Sequence, residues 1–261
     1  LYRLETLGFR GEALASIAAV SKVELKTCAN DIGSLVVIDG GKIKEVSRGD
    51  ARRGTSIRVS ELFYNTPARL KHMKSLYTEL ASITDYMNKL SLSHPDIRFI
   101  LKNNDNIILR TDGSGNLLKV IQSVYGNDVT RKMIPVSAEN ADYEVSGYIS
   151  LPEVHRSSRN NMVTIVNGRV VKNQEINRVI NEAYHSYKPD NRYPITVLNI
   201  IVDPSVIDVN IHPTKMDIKF SKMDTLTELI SEMIVEKISG RQLIPKAFLK
   251  EEKTNEEIHS L

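Results

Sequence analysis

Leu7-Gly8-Phe9-Arg10-Gly11-Glu12-Ala13-Leu14, continuing into Ala15-Ser16-Ile17-Ala18-Ala19-Val20, decides how the rest of this chain is read. After Gly11 the apolar residues Leu14, Ile17 and Ala18 recur at helical spacing, so Gly8 to Gly11 predicts a flexible loop emptying into a helix N-terminus. Glycines let the backbone approach a ligand, first-turn N–H groups have no partner inside the helix, and the macrodipole adds about half a positive charge there. That is anion-binding geometry, and Arg10 is placed to clamp a phosphate. Taken alone, Gly-x-x-Gly before a helix also describes an ordinary loop-to-helix junction.

Downstream, Val23 to Thr27, Leu35 to Asp39, Ile43 to Val46 and Thr55 to Leu62 run apolar or alternate between breaks such as Gly40-Gly41 and Gly49, which predicts an antiparallel sheet. A long helix is expected next. Thr66 suits its N-cap and Pro67 its first position, and Leu70, Met73, Leu76, Leu80, Ile83, Met87 and Leu90 form a core stripe that His94-Pro95 ends. Arg69, Lys71 and Lys74 fall in its first turns, where the dipole disfavours each cation by about 0.3–1 kcal/mol, so a phosphate or a partner acid is expected to face them. Ile97 to Leu101 and Ile107 to Arg110 predict a hairpin, and Thr111-Asp112-Gly113-Ser114-Gly115 a linker.

Beyond that linker a helix is expected over 116–125, then strands over 133–137, 143–151 and 162–166, the turn Asn167-Gly168, and a helix over 174–187 capped by Asn173. Ile195 to Val202 is apolar on both faces and predicts a central strand. Ile207, Val209 and Ile211 alternate with Asp208, Asn210 and His212, Met216 to Phe220 predicts another strand, and a last helix buries Leu226, Ile230, Met233 and Ile234. Ser221 with Asp224 resembles a capping box for that helix, and 246–261 reads as the start of a disordered linker.

With 261 residues, 41% hydrophobic and 26% charged, the composition suits a soluble globular protein of two domains and no extreme class. No apolar run approaches a membrane span, so no membrane partner is expected and a cytosolic protein fits. Cys28 is the single cysteine and makes neither a disulfide nor a zinc site within the chain. The net charge of +3 is unevenly spread. Arg156, Arg159, Arg169, Lys172, Arg178, Lys188 and Arg192 outnumber Glu153, Glu175, Glu182 and Asp190 in one segment. There, Arg156, Arg159, Arg169, Lys172 and Arg178 form a candidate DNA surface whose few aromatics favour phosphate contact over base stacking. A solvated polar face is the plain alternative.

The string from Leu7 to Leu25, LGFRGEALASIAAVSKVEL, resembles the ATP lid of the MutL family of DNA mismatch repair proteins, a branch of the GHKL ATPases. Three further strings resemble the same family in the same order: GTSIRVSELFYNTPARLKHMKS from Gly54, VNGRVVKNQEINRVINEAY from Val166 and DVNIHPTKMDIKF from Asp208. The resemblance implies an α/β (α+β) fold: a partial GHKL ATPase sandwich over 1–112, a ribosomal-protein-like transducer domain with a left-handed β-α-β crossover over 113–240, and a flexible linker starting at 241.

It also implies that Gly8, Phe9, Arg10, Gly11, Glu12, Ala13, Leu14 and Thr55 contact ATP, and that Lys215 reaches the γ-phosphate from the second domain. The family's water-activating Glu, magnesium-holding Asn and adenine-reading Asp-x-Gly-x-Gly stretch precede the lid and have no counterpart here. Leu1 is not an initiator Met, so the chain reads as a piece beginning inside its first domain, with ATP and Mg2+ belonging to the full-length protein and no tightly bound cofactor or hydrolysis expected of this piece. Glu12 is read as an acid placed against the helix dipole, and His212 beside Pro213 as a structural hydrogen-bonding group. Implied partners are DNA through its phosphate backbone, a MutS-type mismatch sensor, a helicase or endonuclease, and a second copy in the full-length protein. A non-enzymatic DNA-binding module and a gyrase-like topoisomerase fragment are the other readings.

Overall fold

A computed structural model of the chain describes residues 11–50, 52–203, 207–208 and 219–242. Gly8, Phe9, Arg10, His212, Lys215 and the segment 246–261 lie outside the described residues. By internal contacts the chain divides into two compact units, the first ending at Tyr86 and the second starting at Met87.

In the first unit, helix α1 (Glu12–Ala19) leads into four strands, β1 (Lys22–Cys28), β2 (Gly33–Asp39), β3 (Lys42–Gly49) and β4 (Gly54–Ser60). They pair antiparallel in the order β3-β2-β1-β4, as the alternation predicts. Because side chains alternate along a strand, the register aligns Val59, Val23, Ile38 and Ile43 in one row and Ile57, Leu25, Val36 and Val46 in the next on the same face. Val23 is buried at 1% exposure, whereas Ile43 and Val46 at the β3 edge are 65% and 69% exposed.

The long helix expected from Thr66 is two. α2 (Pro67–Lys71) is a short helix, and α3 (Leu76–Ser93) begins after a break. Ser75 makes that break: its Oγ accepts the Thr78 N–H at 3.3 Å, and the Glu79 carboxylate accepts the Lys74 N–H at 3.0 Å. A Ser and a Glu bonding back to free amides favour a new helix start over continuation. Thr66 gives α2 no side-chain cap, though Pro67 does occupy its first turn. The core stripe is also corrected, since Leu70 and Ile83 are 50% and Leu76 85% exposed, while α3 buries Ser91 and Leu92. Arg69 and Lys71 sit in the last turn of α2, where the dipole favours cations, so no facing phosphate or acid is needed.

In the second unit, β5 (Ile100–Asn103) and β6 (Asn106–Arg110) form the expected hairpin, turning at Asn104 with φ 52°. Thr111 is buried, its hydroxyl accepting from Phe99 N–H and donating to Ile97 O. α4 (Leu117–Tyr125) is capped by Asn116 and followed by the turn-length α5 (Asn127–Thr130). Strands β7 (Met133–Glu139), β8 (Tyr143–Ser150), β9 (His155–Arg156), β10 (Met162–Val166) and β11 (Arg169–Val171) precede α6 (Gln174–Ala183), where the Glu175 and Ile176 N–H groups donate to the Asn173 side chain. β12 (Tyr193–Pro194), β13 (Thr196–Val202), β14 (Ile207–Asp208), β15 (Lys219–Phe220) and α7 (Met223–Gln242) complete the described order.

The main sheet runs β11-β10-β13-β8-β7, with β10 and β13 parallel and joined through α6. β13 is the central strand that its two-sided apolar run predicts. One face packs Val136, Val145, Leu198 and Ile200 against Ile176, Ile180 and Tyr184 of the α6 segment and Leu226, Ile230 and Ile234 of α7. The other packs Val163, Ile165 and Val197 against Leu92, Val120 and Ile121. At Gly147 the β8 and β13 backbones come so close that an added Cβ would lie 2.0 Å from Val197 O, which only glycine permits.

Candidate nucleotide and nucleic-acid contacts

Gly11 precedes α1 with φ 65° and ψ 5°, a left-handed conformation suited to glycine, and among the described residues nothing stands within 4 Å of where its Cβ would be. Among the described residues no side chain caps the helix there; Glu12 and Ala13 are exposed and Leu14 half-buried. The opposite end of α1 is fastened on several sides. Ser21 Oγ donates to Ile17 O at 2.7 Å, Gly41 N–H to Ala18 O at 2.8 Å, Phe63 N–H to Val20 O at 2.7 Å, and Asn65 Nδ2 to Ala19 O at 3.0 Å.

The turn supplying Phe63 and Asn65 is itself braced. Glu61 and Phe63 take positive φ of 50° and 66°, uncommon outside glycine. Lys22 Nζ lies 2.8 Å from the Glu61 carboxylate and 5.5 Å from the Tyr64 ring centre, and the Tyr64 hydroxyl donates to Asp39. The Glu61 bond raises the Lys22 ammonium, and the Asp39 bond raises the Tyr64 phenol, above their ordinary values. Sequence reasoning missed Tyr64 and Asn65 as supports of α1, because their partners are distant along the chain. Thr55 stands exposed at the start of β4, opposite Thr27, with the two hydroxyls 2.9 Å apart.

The five predicted DNA contacts separate into two clusters. Arg156, on β9, is exposed opposite Tyr193 of β12. Arg159 opens a single 3-10 turn capped by Ser158, its guanidinium carbon 5.0 Å from the Tyr193 ring centre. Lys188 Nζ lies 5.9 Å from that same ring. In the other cluster Arg169 is half-buried on β11, Lys172 is exposed after it, and Arg178 on α6 lies 3.8 Å from Glu175. Tyr193, missed in the sequence, gathers side chains from both ends of the basic segment.

A pocket of about 590 Å³ in the second unit is lined by Leu92, Pro95, Leu117, Tyr148, Ile165 and Asn199 among others, with no charged residue among its lining. Its chemistry suits apolar matter rather than phosphate. Among the described residues no group of three or more His, Cys, Asp or Glu is arranged to hold a metal, and no helix is long and apolar enough to cross a membrane.

Residues 121–239 match the family described as DNA mismatch repair protein, C-terminal domain. A DNA mismatch repair protein MutL from Geobacillus sp. (strain WCH70) is 49% identical over 255 residues, covering 97% of this chain. The chain spans 41% of that relative's length. Among solved structures, the N-terminal domain of a DNA repair protein matches with a TM-score of 0.79 at 25% identity, over 91% of this chain and 78% of that one. The Aquifex aeolicus MutL ATPase domain complexed with ADP shares the fold with a TM-score of 0.64 at 20% identity, over 85% and 77% of the two chains. Near-half identity along almost the whole chain, joined to the ordered lid, NTPAR, NGR and HPTK strings, means that the chain belongs to the MutL family of DNA mismatch repair proteins.

Proposed function

We propose that the chain serves DNA mismatch repair as a nucleotide-gated coupler, in which residues 1–112 contribute an ATP lid and 113–240 a transducer domain that contacts DNA. The 49% identity to a MutL protein over 97% of the chain carries this reading. In the longer protein, Gly8 to Leu14 and Thr55 contact ATP with its Mg2+, and Lys215 reaches the γ-phosphate from the transducer. The start of α1, which no described side chain caps, supports the first part, because first-turn N–H groups and the dipole favour a phosphate there. Its fastened C-terminal end supports the lid role, since it gives the helix a fixed base.

A charge-assisted contact from Lys215 of roughly 1.5–3 kcal/mol biases domain orientation by one to two powers of ten. Nucleotide state thereby becomes domain geometry, promoting pairing of two copies and engagement of a mismatch sensor and a helicase or nuclease. DNA is held through phosphates by the basic segment, near the nucleoid of a bacterial cell.

The test places residues 1–261 in the corresponding stretch of a full-length MutL protein and measures mutation rate in a strain lacking its own. Restored fidelity supports the repair role; a rate no lower than that of the empty strain refutes it. Within that protein, Lys215→Ala is expected to weaken ATP binding about ten- to a hundredfold by isothermal titration. Unchanged ATP affinity removes Lys215 from the site.

A further inference from the structure

Elsewhere in the second unit several lysines are neutralised by a carboxylate: Lys119 by Asp112 at 3.1 Å, Lys132 by Glu153 at 2.9 Å, and Lys222 by Asp142 at 2.6 Å. The ribbon of β9 and β12 differs. Among the described residues Arg156, Arg159, Lys188 and Arg192 form no ion pair, although Asp190 lies in the same loop. Two of them are restrained instead by the Tyr193 ring, at 5.0 and 5.9 Å from its centre. A ring quadrupole attracts a cation without cancelling its charge, so it orders long side chains and leaves them able to take an anion. A carboxylate orders them and uses the charge up.

Arg156 joins the pair because β9 and β12 set it directly opposite Tyr193, and Arg192 because it precedes Tyr193 in the chain. Two separate stretches, 156–159 and 188–192, thus deliver uncompensated positive charge to one small ribbon, two of its cations ordered by the ring. Such an array suits a ligand with repeated negative charge, and cations lying over the Tyr193 ring leave it a poor platform for a stacked base.

We propose that the β9–β12 ribbon is a binding site for the phosphodiester backbone of nucleic acid, with Arg156, Arg159, Lys188 and Arg192 as its contacts and Tyr193 as their positioning residue. This rests on the DNA-contacting role proposed above and narrows it. The ribbon carries more of the binding than the β11–α6 cluster, where Arg178 faces Glu175.

The test is fluorescence anisotropy of a labelled duplex with the whole chain, across about 50 to 200 mM salt. Replacing Arg159 and Lys188 together by Ala is expected to reduce the slope of log affinity against log salt by about two, at roughly 0.9 per lost phosphate contact. Tyr193→Leu is expected to weaken binding about three- to tenfold, while Tyr193→Phe, which keeps the ring, binds like the parent. Circular dichroism of each variant checks that it is folded, and a Tyr193→Leu chain that fails to fold leaves the decision to the Arg159 and Lys188 pair.

An unchanged salt slope for the Arg159 and Lys188 variant overturns the ribbon site. If Lys172→Ala with Arg178→Ala then carries the loss, DNA binding stands and only the ribbon assignment falls. If the chain binds no duplex at all, both fall. Equal competition by polyglutamate of matched charge overturns the nucleic-acid assignment.

Discussion

Tyr184 shows how one side chain ties the second unit to pH. It is fully buried, and its hydroxyl donates to Ser150 O at 2.5 Å, linking the segment after α6 to the end of β8. Burial pushes its phenol well above the ordinary value near 10, with the bond to Ser150 a smaller opposing influence. A group whose value is raised on folding contributes stability that is intact below the unfolded value and declines as pH rises past it. Urea unfolding at about pH 9, 10 and 11 is therefore expected to show stability falling above pH 10, by at most roughly 1.4 kcal/mol per pH unit from this residue. Tyr184→Phe should lessen that fall, leaving the part due to the other raised phenols, Tyr143 and Tyr64. An equal fall in the variant refutes the assignment. The buried position of Tyr184 was legible from its spacing with Ile176 and Ile180, but its bond to Ser150 was not, because nothing local links residues that far apart.

At the scale of elements, α1 is fastened at one end and, among the described residues, has no side-chain cap at the other. Asn65→Ala removes one exposed fastening worth about 1 kcal/mol, so amide exchange in the last turn of α1 is expected to quicken about fivefold with little change in overall melting temperature. Unchanged exchange shows that Asn65 does not hold the helix. Elements whose signals are local were readable from sequence: the Asn173 cap, the Asn103-to-Asn106 hairpin turn, and the apolar run of β13. The α2–α3 break was not, because an unbroken three- and four-residue apolar repeat spoke for one helix, while a competing side-chain cap at Ser75 decided for two. The same error gave Arg69 and Lys71 the wrong end of a dipole. The Tyr193 cluster escaped notice for another reason. Arg159 and Lys188 meet only after β9 and β12 pair, so reading charges in order spreads the site along the segment instead of concentrating it.

At the scale of the whole molecule, the two units handle apolar surface differently. The second encloses both faces of its five-stranded sheet among packed helices, whereas the first leaves Ile43, Val46, Ile57 and Val59 at 42–69% exposure along one sheet face. Exposed apolar patches of this kind bind hydrophobic dyes and favour association. The chain is expected to enhance anilinonaphthalene sulfonate fluorescence, and Val46→Thr with Ile57→Thr to lower that signal by roughly half. Equal fluorescence from parent and variant shows that the dye binds elsewhere.

The seat of β13 between β10 and β8 carries a consequence for synthesis. Until Thr196 to Val202 clears the ribosome, the sheet exists as two detached portions, a β7–β8 hairpin and a β10–β11 hairpin, with no strand to bridge them. Val145 and Ile165, sealed in the finished protein, stay wet through that interval. Translation pauses before codon 196 should therefore lengthen the window in which the nascent chain needs a chaperone, and pauses after codon 202 should not.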